Sequence, residues 1–185
     1  MKLSQTALVV IDVQNGFVRS GSRHVVPAIT NLVSRWGAAG GAIVFTRYFN
    51  YENSPFERIM GWKQMRGAPE TELISELKPY VTGQTVLDKT IYSALTEETA
   101  GLVAERGWTD LMICGIATES CVCKTAVDAF ERGLIPWVVT DACASPAGRE
   151  AHDAGLLVTR RFIGSDQLLK SDETLKRIRP IASHT

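Results

Sequence analysis

The stretch LMICGIATESCV, residues 111–122, contains an apolar run, a short polar turn and a cysteine. The run ends at Cys114 and Gly115, and a helical pattern, CVCKTAVDAFERG, opens at Cys121. Backbone N–H groups point out of the start of a helix without partners, and their field favours a thiolate over a thiol. The stretch therefore predicts a strand, a turn and a helix with a nucleophilic cysteine at the junction.

The alternation of strand and helix patterns extends along the rest of the chain. Apolar and β-branched runs predict strands, and the segments between them carry apolar residues at helical spacing. The expected strands are 6–13, 42–47, 85–89, 109–115, 135–142 and 160–164. The expected helices are 28–39, 70–80, 96–107, 121–133, 149–159 and a C-terminal helix, 165–178, that is capped by Ser165.

Strands that alternate with helices of this length form parallel βαβ units. We therefore predict an α/β fold, a Rossmann-like three-layer α/β/α arrangement whose mainly parallel six-stranded sheet has the order 3-2-1-4-5-6. The length and the hydrophobic content of 45% suit a single domain over residues 1–185. Ligands of such sheets bind beyond the carboxyl ends of the strands. Asp12, Lys89 and Cys121 each lie at such an end, so we expect them to meet at one edge of the sheet.

Composition excludes several classes of partner. Twenty basic and twenty acidic residues balance, without a long run of one sign, so we expect no nucleic-acid partner. No apolar stretch approaches membrane-spanning length, and the N-terminal residues pass into a strand rather than a signal peptide, which predicts a cytoplasmic protein without a membrane partner. The cysteines lack CxxC spacing and are expected to be free thiols, and the three histidines are scattered, which argues against a zinc site.

Three short motifs follow one another along the chain. They are D-x-Q-x-x-F at Asp12, Gln14 and Phe17, K-x-x-Y-S-A at residues 89–94, and G-I-A-T-x-x-C-V at residues 115–122. Together they resemble the isochorismatase-like cysteine hydrolases, a family that includes nicotinamidases, N-carbamoylsarcosine amidase, ureidoacrylate and biuret hydrolases, and isochorismatase itself. The resemblance covers nearly the whole chain. It implies a homo-oligomer, either a dimer or a tetramer.

The resemblance also implies a catalytic triad of Asp12, Lys89 and Cys121. It implies a cis peptide between Ile116 and Ala117, and an oxyanion hole formed by the N–H groups of Ala117 and Cys121. Asp12 would take the thiol proton and pass it to the leaving amine, while Cys121 attacks a carbonyl carbon and forms an acyl-enzyme. A buried lysine beside the thiol would favour the thiolate. The expected substrate is a small amide, ureido or carbamoyl compound.

The region after the second strand departs from the nicotinamidases of this family, which carry an Asp-x-His and further histidines that bind a metal. Residues 46–65, TRYFNYENSPFERIMGWKQM, contain no histidine. We therefore predict a metal-independent enzyme without a cofactor, and we do not expect nicotinamidase activity. The retained Cys121 favours amide chemistry over the acid-catalysed cleavage of a vinyl ether.

Several side chains are expected around the cysteine. Residues 48–69 have no regular period and are expected to set specificity. Arg47 ends the second strand and either grips a substrate carboxylate or forms a surface salt bridge. Glu119 would oppose thiolate formation if it pointed inward, so we expect it to face solvent or a cationic group. The predicted substrate-binding residues are Phe17, Arg47, Tyr48, Trp62, Tyr92 and Thr118.

Two other functions fit the same residues. One is a vinyl-ether hydrolase that uses Asp12 as its acid. The other is a non-enzymatic, redox-responsive protein in which Cys121 is the sensor and Cys123 the resolving thiol. A spacing of two residues along a helix is poor geometry for a disulfide, which weighs against the second alternative.

Overall fold

In the computed structural model, which describes residues 1–177, the strands form one six-stranded sheet. All neighbouring strands pair in parallel, in the order β3-β2-β1-β4-β5-β6. The predicted α/β fold and its strand order are thereby confirmed. The strands are β1 Thr6–Ile11, β2 Ala42–Tyr48, β3 Thr85–Lys89, β4 Asp110–Ile116, β5 Ile135–Ala144 and β6 Leu168–Leu169.

Helices flank this sheet, and their ends follow from local capping. Thr96 Oγ1 accepts the N–H of Thr99 at 3.2 Å, and Gly107 closes the same helix with a left-handed φ of 64°. None of the helices in the described part of the chain has the length and apolar character needed to cross a membrane. The helices are α1 Val26–Ala38, α2 Pro55–Met60, α3 Lys78–Val81, α4 Glu97–Arg106, α5 Cys123–Glu131, α6 Arg149–Ile163 and α7 Ser171–Arg177.

The centre of the sheet is β1, which lies between β2 and β4. Every residue of β1 is buried, which explains its uninterrupted apolar run, because a central parallel strand is covered on both faces. Next to it, Gly115 has a φ of 124°, and a Cβ there would lie 2.1 Å from the carbonyl oxygen of Ile11. Only glycine therefore lets the end of β4 approach β1 so closely.

The prediction of a strand at residues 160–164 was wrong. Residues 160–163 continue α6, because Gly155, Thr159 and Ile163 are buried at a spacing of four while the residues between Thr159 and Ile163 are exposed. The sixth strand is instead Leu168–Leu169.

Two predicted helices also differ from the structure. Residues 165–167 form a 3₁₀ turn and α7 begins only at Ser171, while Ile178 of the predicted C-terminal helix lies outside the described residues. The predicted helix at 70–80 is reduced to a 3₁₀ turn, Ser75–Leu77, followed by α3. Pro79 lies in the first turn of α3 rather than ending a helix, since proline fits the first helical turn.

Candidate active site

The carboxyl ends of three strands bring Asp12, Lys89 and Cys121 together. Asp12 follows β1, Lys89 is the last residue of β3, and Cys121 lies in a π-helical turn, Thr118–Val122, that joins β4 to α5. Their exposed fractions are 0%, 4% and 7%. The α-helix begins at Cys123, two residues after the predicted start, so Cys121 lies on the turn itself.

The Lys89 ammonium lies between the other two side chains. Its Nζ donates hydrogen bonds to the carbonyl oxygens of Ile91 at 2.9 Å and Tyr92 at 3.1 Å, and to Cys121 Sγ at 3.6 Å. Nζ also lies 2.6 Å from Asp12 Oδ2, so Lys89 and Asp12 form a buried ion pair.

The two oxygens of Asp12 differ in their surroundings. Oδ1 accepts a hydrogen bond from the hydroxyl of Thr46 at 2.7 Å. Oδ2 is buried and faces the Lys89 ammonium at 2.6 Å. The backbone of Asp12 has a φ of 51°, a left-handed conformation that is uncommon outside glycine. Asp12 thus keeps one carboxylate oxygen available as a proton acceptor beside the lysine.

The surroundings of Cys121 hold it as a thiol. Burial raises the pKa of the Cys121 thiol most, and the negative charge of Asp12 raises it further, whereas Lys89 lowers it. The net shift is upward, so the thiol and not the thiolate is the resting form at neutral pH. Lys89 acts in the predicted direction, towards the thiolate, but burial and the charge of Asp12 outweigh it.

The turn that carries Cys121 is held from two sides. The Ile116–Ala117 peptide bond that precedes it is cis. The Ala117 carbonyl accepts the N–H of Val122 at 3.1 Å. Behind the turn, α6 approaches so closely that a Cβ on Gly155 would lie 2.7 Å from the backbone of Glu119. The position of the turn therefore depends on the packing of α6.

A cavity of about 570 Å³ opens beside Cys121. Five aromatic side chains form part of its wall, and their rings touch one another: Phe17 stacks on Trp62 with centroids 6.2 Å apart, and Phe56 meets Tyr92 edge-on at 5.0 Å. An apolar pocket with a few polar groups is typical of small-molecule sites. The structure places four of the predicted contact residues in this wall: Phe17, Tyr48, Trp62 and Tyr92.

The structure does not bring Arg47 into the cavity. Its Nε and Nη2 donate to the two carboxylate oxygens of Asp88 at 2.7 and 2.8 Å, which is the surface salt bridge foreseen as the alternative. Arg47 lies between Thr46 and Tyr48 on β2, and successive side chains of a strand point to opposite faces. Thr46 and Tyr48 face the site, so the side chain of Arg47 points to the opposite side of the sheet.

Thr118 and Glu119, in the turn that carries Cys121, form hydrogen bonds other than those expected. Thr118 is completely buried, outside the cavity wall, with its hydroxyl 2.7 Å from His152 Nδ1. Glu119 is half-buried, lines the cavity and accepts a hydrogen bond from the Ser145 hydroxyl at 2.7 Å. Glu119 is thus tied to a neutral group, rather than facing solvent or a cation as predicted.

Sequence reasoning missed part of the cavity wall. A signal was available for one missed element, α2: Ser54 precedes Pro55 and accepts the N–H of Glu57 at 3.1 Å, a typical N-terminal cap. Ser120 lies in the turn that carries Cys121, and the remaining missed residues lie on irregular loops, where periodicity gives no indication. The missed residues are Gly16, Arg19, Phe56, Met60, Gln64, Ser120, Pro146 and Ala147.

The four cysteines are free and buried. Within residues 1–177, no group of three or more His, Cys, Asp or Glu side chains is placed to hold a metal ion. Of the three histidines, His184 lies outside the described residues.

Comparison with known proteins places the chain in a family. Residues 6–164 match the isochorismatase domain. A nicotinamidase from Acinetobacter baylyi is 32% identical over an alignment of 172 residues that covers 74% of this chain and 80% of the relative. The ureidoacrylate amidohydrolase RutB of the same organism is 29% identical over 195 residues, covering 86% and 79%. Among solved structures, N-carbamoylsarcosine amidase from Thermoplasma acidophilum is similar with a TM-score of 0.79 at 26% identity, covering 91% of this chain and 97% of that one. The chain therefore belongs to the isochorismatase family and is an enzyme, an isochorismatase-like hydrolase.

Proposed function

We propose that the protein is a cysteine hydrolase that cleaves a C–N bond of a small amide, ureido or carbamoyl compound. The observation that carries this proposal is the position of Lys89 Nζ, 2.6 Å from Asp12 Oδ2 and 3.6 Å from the Sγ of Cys121, which lines the cavity. The names of two relatives, a nicotinamidase and a ureidoacrylate amidohydrolase, support amide chemistry.

The reaction begins with attack by Cys121. Because the thiol pKa is raised, the proton leaves as Sγ attacks the carbonyl carbon, and Asp12 Oδ2 accepts it. A C–S bond forms, and the carbonyl π electrons move to the oxygen. Lys89 stays positively charged and stabilises the negative charge that develops nearby.

The oxyanion that results needs hydrogen-bond donors. We assign this role to the N–H groups of Ala117 and Cys121, two residues that line the cavity at the turn after β4. Loss of one such donor typically costs about 3–4 kcal/mol of transition-state stabilisation. The C–N bond then breaks, and Asp12 returns its proton to the leaving nitrogen. Water hydrolyses the thioester and regenerates the thiol.

The cavity limits the substrate to a small molecule. A volume of about 570 Å³ suits a compact compound, and the aromatic wall suits one with a planar or apolar part. We assign substrate contacts to Phe17, Tyr48, Trp62 and Tyr92.

The proposal extends to the setting of the enzyme. We infer a single domain over residues 1–185, a cytoplasmic location and a homo-oligomer, either a dimer or a tetramer. Free cysteines support a reducing compartment. Exposed apolar side chains on α6, Leu157 and Phe162, support contact between subunits. Light scattering on a size-exclusion column is expected to give two or four times the chain mass, and a monomer would contradict this part.

The test of the activity is ammonia release from a panel of small primary amides, ureido acids and carbamoyl compounds. Wild type is expected to hydrolyse at least one compound, and Cys121→Ala to lose about 10³-fold or more of that rate. Cys123→Ala, which removes a neighbouring buried thiol, is the matched control and should retain it. Wild-type ammonia release by Cys121→Ala would overturn the assignment of the nucleophile. Cleavage of a vinyl ether, measured separately, that persists in Cys121→Ala and is lost in Asp12→Ala would point to ether hydrolysis instead.

A further inference from the structure

The cavity contains one cationic side chain that the proposed reaction does not use. Arg19 lies on the loop between β1 and α1 and lines the cavity together with Phe17 and Gln64. Glu119 is the other charged side chain among the described residues that line the cavity. Arg19 is exposed to solvent where it lines the cavity, so a charged group of a ligand can reach its guanidinium from the cavity.

Neutral partners hold the Arg19 guanidinium. Its Nε donates to the carbonyl oxygen of Gly16 at 2.7 Å, and Nη2 donates to Gln64 Oε1 at 3.0 Å. A guanidinium has five N–H donors, so three remain unused by these bonds. No carboxylate within residues 1–177 lies at ion-pair distance from Arg19. Its positive charge is therefore oriented but not neutralised.

The loop that carries Arg19 is fixed from within. Ser22 is completely buried, and its hydroxyl accepts the N–H of Arg19 at 3.0 Å and donates to the carbonyl oxygen of Phe17 at 2.7 Å. Gln64, in turn, accepts a hydrogen bond from Trp62 Nε1 at 3.4 Å. These bonds set the guanidinium before a ligand arrives, which lowers the entropy cost of binding.

The surroundings distinguish Arg19 from Arg47. Arg47 is already paired with both oxygens of Asp88, outside the cavity. Glu119 has one oxygen tied to Ser145 and is not within ion-pair distance of Arg19. The unused N–H groups of Arg19 are thus free to form the paired hydrogen bonds that a guanidinium makes with a carboxylate.

We propose that Arg19 binds a carboxylate of the substrate, with Gln64 as the residue that positions the guanidinium. The substrate is then a small amide, ureido or carbamoyl compound that also bears a carboxylate. This inference rests on the proposed function, because it assumes that the cavity beside Cys121 holds the substrate.

The test uses two thiol reagents of similar shape, neutral N-ethylmaleimide and anionic N-maleoyl-β-alanine. Cys121 Sγ adds to the maleimide double bond, and the second carbon of that bond takes a proton from water. The rate of labelling at Cys121 is followed by peptide mass spectrometry, with Cys121→Ala as background. Wild type should favour the anionic reagent, and Arg19→Gln should lower the ratio of anionic to neutral rates about tenfold.

Two variants control for the loss of positive charge. Arg23→Gln removes an exposed arginine of the same loop that pairs with Glu76 at 3.0 Å, and Arg47→Gln removes the arginine predicted from the sequence. Both should keep the wild-type ratio. Equal rates in wild type, no labelling by either reagent, an unchanged ratio in Arg19→Gln, or a loss confined to Arg47→Gln would each overturn the proposal. Labelling of Cys121 requires no hydrolysis. A failure of the Arg19 proposal in the labelling test is therefore distinguishable from a failure of the proposed function in the ammonia-release test.

Discussion

At the scale of single residues, the chemistry depends on where the proton of Cys121 goes. Burial and the charge of Asp12 raise the pKa of this thiol against the opposing effect of Lys89. In the proposed mechanism Asp12 has a second role, because its Oδ2, beside Lys89, accepts the thiol proton during attack. The same carboxylate would thus raise the pKa of the thiol at rest and remove its proton in the reaction.

Asp12→Asn separates these two roles. Without a base, turnover should fall about 10²–10⁴-fold. Without the negative charge, the pKa of Cys121 should fall, so alkylation by iodoacetamide near neutral pH should become faster. Ammonia release and the pH profile of alkylation measure the two effects. Asp88→Asn, a surface acid paired with Arg47, is the control and should change neither. Slower alkylation in Asp12→Asn, or full turnover, would contradict this account.

That Asp12, Lys89 and Cys121 lie close together could be predicted, because the position of each follows from a simple rule. Asp12, Lys89 and Cys121 end or follow apolar strands, and the carboxyl ends of parallel strands share one edge. Arg19 could not be found in this way. It lies on an irregular loop whose path depends on the buried hydroxyl of Ser22, and no periodic pattern encodes that contact.

At the scale of elements, α6 sets the position of the turn that carries Cys121. The helix can come this close because Gly155 has no side chain facing the backbone of Glu119. Gly155→Ala should push the turn away, lower the free energy of unfolding by about 1–3 kcal/mol and reduce turnover. Urea denaturation and ammonia release check these effects.

Gly101→Ala is the matched control for that prediction. Gly101 lies in α4, and a Cβ there would meet no atom within 4 Å. This substitution should stabilise the protein by about 0.5–1 kcal/mol, because alanine favours a helix over glycine. A Gly155→Ala protein as stable and active as wild type would show that the turn does not depend on α6.

The predictions of helices and strands were correct where local sequence signals, such as capping residues and apolar runs, were sufficient. Thr96 and Gly107 cap α4 at both ends, and the burial of β1 matches its apolar run. The prediction of the sixth strand failed because Leu168–Leu169 forms a strand only by pairing with two residues distant in sequence, Val138 and Val139. Such long-range pairing leaves no period in a two-residue segment.

At the scale of the whole molecule, buried cysteines link stability to pH. Burial raises the pKa of Cys143 to about 12 and that of Cys114 well above its ordinary value. In the unfolded chain a thiol ionises at about pH 8.5. The stabilisation is therefore complete below that pH and is lost as the pH rises towards the folded value, because only the unfolded state releases the proton.

The free energy of unfolding should thus decrease above about pH 8.5, by up to roughly 1.4 kcal/mol per pH unit for each such thiol. Cys143→Ala should remove about that much of the slope between pH 9 and 11, as measured by urea denaturation at each pH. Val139→Ala, which also shortens a buried side chain of β5, should lower stability equally at every pH. An unchanged slope in Cys143→Ala would refute the link.

The most direct test of the central proposal is mass spectrometry of the enzyme quenched in acid during turnover of a substrate found in the ammonia-release panel. We predict that the peptide containing Cys121 gains the mass of the substrate acyl group without its amine, that the adduct disappears as substrate is exhausted, and that Cys121→Ala shows neither adduct nor turnover. Sustained turnover with no acyl mass on Cys121, and equal turnover by Cys121→Ala, would contradict the proposed mechanism.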